Sequence, residues 1–185
     1  MSKGKLFVIS GASGVGKSTV LAKVMENRED LRFSVSATTR APRNGETEAV
    51  SYYFVSKETF EDMIRKGEFM EYDAHADNYY GTPRKQLEEK LACANVILDV
   101  EPNGAFAVRR ERPDATLIFI MPPSMEVLEN RLRKRNDTSE EQIRMRLERA
   151  VWEMEQRTAY DFVVTNDQVE ACAGKILNII AEKAD

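Results

Sequence analysis

Residues Gly11-Ala12-Ser13-Gly14-Val15-Gly16-Lys17-Ser18 form a complete G-x-x-x-x-G-K-[ST] run directly behind the apolar segment Leu6-Phe7-Val8-Ile9. A strand that ends in a glycine-rich turn and passes into a helix near Lys17 aims successive backbone N–H groups, and the positive end of a helix dipole, at one point. That is the arrangement a phosphate chain requires. Side chains at Gly11 or Gly16 would hinder both the backbone conformations and the close approach of phosphate oxygens. Lys17 is spaced to reach the β- and γ-phosphates of a nucleoside triphosphate, and the Ser18 hydroxyl to join the shell of a magnesium ion. The chemistry implied is binding of a nucleoside triphosphate together with Mg2+.

A second group of candidate residues follows in Ser36-Ala37-Thr38-Thr39-Arg40-Ala41-Pro42-Arg43. Two arginines three apart, with Pro42 restraining the loop between them, are able to converge on one phosphate through forked hydrogen bonds. Taken alone, such a pair fits a solvated surface equally well. Tyr52, Glu71 and Tyr79-Tyr80-Gly81-Thr82 add hydroxyls suited to a phosphate and a carboxylate able to accept two N–H donors in the way a guanine edge presents them. Between Arg131 and Arg149 lie seven cationic residues, among them Arg131 and Arg135 one helical turn apart. A charged helix face of this kind is also commonly solvated. Asp99 closes an apolar run, where a carboxylate either caps a turn or supports a metal ion. His75, the single histidine, stands in an irregular stretch and reads as a surface or loop residue.

These residues sit in a chain of 185 residues with 42% hydrophobic content, enough for one domain with a substantial core. Thirty-one acidic against 27 basic residues give a net charge of −4, which argues against a general binder of nucleic acid or anionic membrane. Cys93 and Cys172 lack any metal-ligand spacing and read as small, partly buried apolar residues. No apolar segment has the length to cross a bilayer, and the expectation is a soluble, cytoplasmic protein.

Apolar runs alternate with amphipathic helices, the pattern of a doubly wound α/β protein. Strands are expected at Leu6–Ser10, Asn95–Val100, Thr116–Met121 and Asp161–Thr165, with a further one at Phe33–Ala37. Ser124 caps a helix running to about Lys134. Thr138-Ser139-Glu140-Glu141-Gln142 offers overlapping capping boxes for a long helix through Gln156, and Asp167-x-x-Glu170 opens the last helix, with an apolar stripe at Val169, Cys172, Ala173, Ile176 and Ile180. From about Phe33 to Tyr80 the segments shorten and alternate around one helix, Lys57–Lys66, ended by Gly67. This stretch reads as a small mixed-sheet insertion.

The glycine-rich loop, the Ser36 to Arg43 segment, Tyr52, Glu71, Asn78-Tyr79-Tyr80-Gly81-Thr82, Pro122-Pro123-Ser124 and Asn166-Asp167 occur together and in this order. In that combination the chain resembles the guanylate kinases over nearly its whole length, from about Leu6 to Ala181. The resemblance implies the P-loop nucleoside monophosphate kinase fold: a doubly wound, mostly parallel sheet in a single domain, with core at about 1–32, 81–130 and 150–185, an acceptor-binding insertion at about 33–80 and a helical lid at about 131–149. It implies phosphoryl transfer from MgATP to GMP or dGMP, in purine nucleotide metabolism.

By the same resemblance, Arg40, Arg43, Tyr52 and Tyr80 hold the GMP phosphate, while Ser36, Glu71 and Thr82 read guanine with Glu101 as a further reader. Asp99 supports magnesium through water, complementing Ser18. Arg131, Arg135 and Arg146 match the lid arginines that act with Lys17 on the moving phosphoryl group, and Asn166 matches a contact to adenine. Insertion and lid are expected to close on their nucleotides and exclude water. The chain departs from the family at Glu101-Pro102-Asn103-Gly104, where Asp-x-Gln-Gly or Glu-x-Gln-Gly is usual, and at Asn136-Asp137, where glycine is favoured. Two other readings stand beside this one: a kinase of the same fold acting on another small phosphorylated acceptor, and a non-catalytic interaction module of guanylate-kinase type.

Overall fold

The computed structural model describes residues 4–26, 28–75, 77–134 and 139–184. Strand and helix alternate as the hydrophobic pattern requires: β1 (Leu6–Gly11), α1 (Lys17–Met25), β2 (Leu31–Phe33), β3 (Ala37–Thr38), β4 (Tyr53–Phe54), α2 (Lys57–Arg65), β5 (Phe69–His75), β6 (Asn78–Pro83), α3 (Arg84–Leu91), β7 (Asn95–Asp99), α4 (Pro102–Glu111), β8 (Thr116–Met121), α5 (Met125–Arg133), α6 (Glu140–Glu155), β9 (Phe162–Thr165) and α7 (Val169–Ala184). The strands form a parallel five-stranded sheet, in the order β2-β7-β1-β8-β9, and a mixed four-stranded sheet, β4-β3-β6-β5. The chain divides into two compact units, one of Met1–Leu6 with Asp30–Ala115 and one of Phe7–Glu29 with Thr116–Asp185.

In the second unit β1 and β8 run parallel, pairing Phe7 with Thr116 through to Gly11 with Ile120, and β9 continues the sheet beside β8. Phe7, Val8, Ile9, Leu117, Ile118, Phe119 and Ile120 are fully buried, the signature of strands covered on both faces. Helices α1 and α7 pack on one another, burying Val20, Leu21 and Val24 together with Cys172, Ala173, Ile176 and Ile180. Ser139 and Gln142 cap α6 reciprocally: the Gln142 N–H donates to the Ser139 hydroxyl, and the Ser139 N–H to Gln142 Oε1 at 3.1 Å. Thr138, also expected in a capping box, lies outside the described residues.

In the first unit, β2 and β7 pair in parallel. The small mixed sheet closes over its own core of Ala37, Phe60 and Phe69, with the Phe60 ring stacked on Phe69 at 4.3 Å and on Tyr79 at 5.2 Å. Helix α2 starts where the Ser56 hydroxyl accepts the Thr59 N–H at 3.1 Å and stops at Gly67, whose φ is 67°.

Several expectations need correction. The stretch Phe33–Ala37 is not one strand. Ser34 N–H still donates to Ile97 O at 2.8 Å, beside β7, but two residues later Ser36 O accepts from Tyr53 N–H at 2.9 Å, so the chain leaves one sheet and enters the other. Within the expected insertion, β4 is only two residues long and pairs in parallel with β3. His75 ends strand β5, opposite Asn78, and is not in irregular chain. Cys93 is exposed; it follows the last turn of α3, and its thiol lies against the Lys90 and Glu89 carbonyls.

Gly67 meets nothing within 4 Å at the position of a Cβ, so replacing it tests backbone conformation alone. Gly67→Ala should lower stability to urea by about 1 kcal/mol, the cost of holding an L-residue at positive φ. An unchanged unfolding midpoint would contradict the assignment of a left-handed helix cap there.

Candidate functional site

Each unit carries part of the expected site. In the second unit, the turn after β1 is shaped by Gly14 and Gly16, at φ 84° and 90°. A Cβ on Gly11 would stand 2.9 Å from Ile120 O, and one on Gly16 would stand 3.0 Å from Asn166 Nδ2. The loop's inner amides are committed to the protein: Ala12 N–H to Ile120 O at 3.4 Å, Ser13 N–H to Glu153 Oε2 at 2.6 Å and Val15 N–H to Ala12 O at 2.9 Å. Lys17 and Ser18 open α1, with Gly16 as its N-cap and no side-chain cap, so the first-turn amides point out of the helix end where an anion is stabilised.

Two side chains lock the loop's far edge. Asn166, 2% exposed at the end of β9, donates from Nδ2 to Val15 O at 2.8 Å. Arg131, on α5, donates from Nη1 to the same carbonyl at 3.1 Å and from Nη2 to Asn166 O at 3.0 Å. The arginine expected to act on a phosphate thus spends donors on backbone carbonyls of the two loops that flank the expected nucleotide. Arg146 lies half-buried on α6. Arg135 lies outside the described residues.

In the first unit, the phosphate-type residues gather around one guanidinium. Arg40 makes a bidentate pair with Glu46, Nη1 to Oε2 at 2.9 Å and Nη2 to Oε1 at 2.8 Å, stands 5.3 Å above the Tyr52 ring and hydrogen-bonds Tyr80. The Tyr52 and Tyr80 rings meet edge to face at 6.1 Å. Arg40, Tyr52 and Tyr80 are therefore brought together as expected, with Glu46 as an unanticipated member. The Arg40 hydrogen bond, then the Arg43 amide, holds the Glu46 carboxyl down to about 2. Arg43 itself contributes that amide at 2.7 Å, while its side chain is exposed. Burial, and next the charge of Asp99, pushes the Tyr52 phenol upward, which places Asp99, at the end of β7, within electrostatic reach of this cluster.

The residues expected to read a base form a second group. Glu71 on β5 is 7% exposed, and its Oε1 accepts the Thr82 hydroxyl hydrogen across the β5–β6 pair at 2.5 Å. Its other oxygen lies against the first turn of α4, where Gly104 leaves room: a Cβ there would stand 2.8 Å from Glu71 Oε2. Pro102 occupies the first position of that helix behind Glu101 as N-cap, the position where its missing N–H costs nothing. Ser36 lies half-buried on the crossing between the sheets, holding Tyr53 N–H with its carbonyl.

Burial raises the Glu71 carboxyl from an ordinary 4.5 to about 7; the Thr82 hydroxyl and amide oppose this, and the charges of Asp73 and Glu101 add to it. Glu46 and Glu153 are participants that the sequence did not single out, and Gly104, which stands in the Glu101–Gly104 motif, gains its role from Glu71. Glu153 and Gly104 are defined by partners distant in sequence, Ser13 and Glu71, whereas Glu46 pairs within its own loop, with Arg40 and the Arg43 amide.

Residues 3–183 match the family model described as guanylate kinase. A guanylate kinase of Thermus thermophilus is 46% identical over 179 residues, 96% of this chain and 81% of that protein. That of Oceanobacillus iheyensis is 44% identical over 96% of this chain and 87% of its own length. Among solved structures, the crystal structure of guanylate kinase from Anaplasma phagocytophilum superposes with a TM-score of 0.80 at 37% identity, covering 99% of this chain and 87% of the other.

The raised Glu71 value sets the sign of a stability effect. With the folded value above the unfolded one, the protonated carboxyl stabilises the fold fully below about pH 4.5, and that contribution is lost as pH rises through about 7. At one pKa unit per 1.36 kcal/mol, the loss is up to ~3 kcal/mol. Urea unfolding without nucleotide should show wild type losing stability over this range relative to Glu71→Gln. Parallel pH profiles would contradict a buried, proton-retaining carboxyl.

Proposed function

Since the chain belongs to the guanylate kinase family, we propose that it transfers the γ-phosphoryl group of ATP to GMP or dGMP, giving ADP and GDP or dGDP. The observation that carries this reading is the pairing of a complete phosphate-binding loop with a buried carboxylate, Glu71, held by Thr82. An ionised carboxylate with two oxygens accepts the N1–H and N2–H of guanine together, a pattern that adenine, cytosine and uracil do not offer.

In this reading the 33–80 segment is the acceptor arm and 131–149 the lid. Gly16, Lys17 and Ser18 receive the ATP phosphates at the start of α1. Asn166 faces adenine; its buried Oδ1 has no hydrogen-bond partner among the described residues and suits the exocyclic amine. Arg40, Arg43, Tyr52 and Tyr80 receive the GMP phosphate, Glu71, Thr82 and Ser36 read the base, and Glu101 stands nearby. Arg146 and Arg135 act on the moving group with Lys17, whereas the contacts of Arg131 give it a positioning share in that work.

A phosphate oxygen of GMP attacks the γ-phosphorus. The bond from γ-phosphorus to its bridging oxygen breaks, and the electron pair leaves on ADP. No proton must be removed from the acceptor near neutral pH, so no general base is needed, and the protein's work is alignment and charge cancellation. The hydroxyl of Ser18 and the carboxylate of Asp99 are hard oxygen donors of the kind magnesium takes, directly or through water, beside nucleotide phosphates. Magnesium held by such donors would neutralise charge on the triphosphate. Action on metabolic guanine nucleotides in the cytoplasm belongs to the same proposal; among the described residues no helix is long and apolar enough to cross a membrane.

The test is ADP formation from ATP with GMP, AMP, CMP and UMP offered separately. GMP should lead by at least two orders of magnitude in kcat/KM, and Lys17→Ala should lower turnover by a similar factor with GMP binding retained. Equal rates with all four acceptors, or near-normal transfer by Lys17→Ala, would overturn the reading. The space beside Glu71 gives a finer check: Gly104→Ala should raise KM for GMP about tenfold and leave KM for ATP within about twofold. Equal changes in both would count against Glu71 as the base reader.

A further inference from the structure

Glu153 is a carboxylate on α6 that is 2% exposed, and its partners are specific. Oε2 accepts the Ser13 N–H at 2.6 Å and Oε1 accepts from Arg149 Nε at 3.1 Å. Ser13 lies inside the phosphate-binding loop, 140 residues away in sequence. A buried negative charge beside a loop built for polyphosphate is costly on two counts, desolvation and repulsion of the ligand. Retaining it requires a compensating task. The geometry supplies one. By fixing the Ser13 N–H, Glu153 fixes the plane of the Ala12–Ser13 peptide, and the loop from Gly14 to Gly16 is built outward from that plane through two residues at positive φ.

The loop's other side is held by the opposite charge, since Arg131 donates to Val15 O at 3.1 Å. A carboxylate therefore grips an amide at residue 13 while a guanidinium grips a carbonyl at residue 15. The two grips come from α5 and α6, the helices that lead into and out of the 131–149 segment. Arg149 cancels the carboxylate's charge on the side away from Ser13, and it lies one turn beyond Arg146 on the same helix.

We propose that Glu153 is a positioning residue of the phosphate-binding loop, setting through the Ser13 amide the direction in which the loop presents its donors, and tying the loop to the helix that carries Arg146. This inference rests on the reading that the loop binds ATP. A glutamine retains a carbonyl oxygen for the Ser13 N–H but loses the ion pair with Arg149, whereas alanine loses both. Their comparison separates orientation from charge and from simple packing.

The experiment measures binding of ATP and of GMP to the full chain by calorimetry, with kcat and KM for each substrate, in wild type, Glu153→Gln and Glu153→Ala; circular dichroism and retained GMP binding report folding. Glu153→Ala should raise the ATP dissociation constant and KM at least tenfold and lower kcat, leave GMP binding within twofold, and be largely rescued by Glu153→Gln. Equal losses in both variants would assign the effect to charge. Tighter ATP binding in either would make the carboxylate merely repulsive, and parallel loss of ATP and GMP binding would make it structural; each of these outcomes overturns the proposal. Should Glu153→Ala not fold, Glu153→Gln decides: near-wild-type ATP affinity agrees, and a tenfold loss contradicts. Failure of wild type to bind ATP would instead defeat the reading beneath it.

Discussion

Two phosphorylated nucleotides repel each other, and an enzyme that joins their reacting atoms must cancel several negative charges without solvating them. In the proposed reaction, every major feature of the chain answers to that constraint. Bulk positive charge does not meet it, for the molecule carries a net charge of −4. Local construction does. The phosphate-binding loop uses backbone amides and a helix end, which provide fixed positive potential without long side chains that must be immobilised. Gly14 and Gly16 at positive φ make this possible, and the buried β1 and the buried centre of β8 give the loop a rigid base.

The same constraint explains why carboxylates stand so close to the expected phosphate sites. Glu46 takes both forks of Arg40 and so orients a guanidinium already stacked on Tyr52, reducing the entropy lost when a phosphate arrives. Glu153 does the equivalent for the loop. Glu71 differs in kind: no cation pairs with it in the bonds described above, which come from the hydroxyl and amide of Thr82, and the cost of ionising it in a buried position shows as a carboxyl raised to about 7. Such a group is expensive to keep empty and gains most from a ligand presenting two N–H donors, which makes it a discriminator rather than an anchor.

How much of this was legible in the sequence depended on how local the determining contacts are. The phosphate-binding loop was readable because its glycines, lysine and serine are consecutive, and the Ser139 cap because its partner Gln142 is three residues on. The buried strands β1, β7 and β8 announced themselves as unbroken apolar runs. The passage from Phe33 to Ala37 was misread because alternation reports exposure of faces and not which sheet a strand joins; the change of sheet depends on Ile97 and Tyr53. Pairings such as Arg40 with Tyr52 and Tyr80 came from the family resemblance and not from spacing, which left a solvated arginine pair equally open. The roles of Glu153 and Gly104 were invisible for a simple reason: a glutamate on a charged helix and a glycine in a helix's first turn acquire those roles only when Ser13 and Glu71 are placed beside them.

If one chain holds a triphosphate donor and a guanine-bearing acceptor for in-line transfer, the two sites must be bridgeable by a single molecule. The most direct measurement is the affinity of a bisubstrate ligand in which adenosine and guanosine are joined through their 5′ oxygens by a pentaphosphate. Binding should be at least a hundredfold tighter than that of ATP or GMP alone, with the gain lost on either Lys17→Ala or Arg40→Ala, since linked ligands add the energies of both sites. Affinity no better than that of ATP alone, or a gain that survives both substitutions, would contradict in-line transfer between two adjoining nucleotide sites.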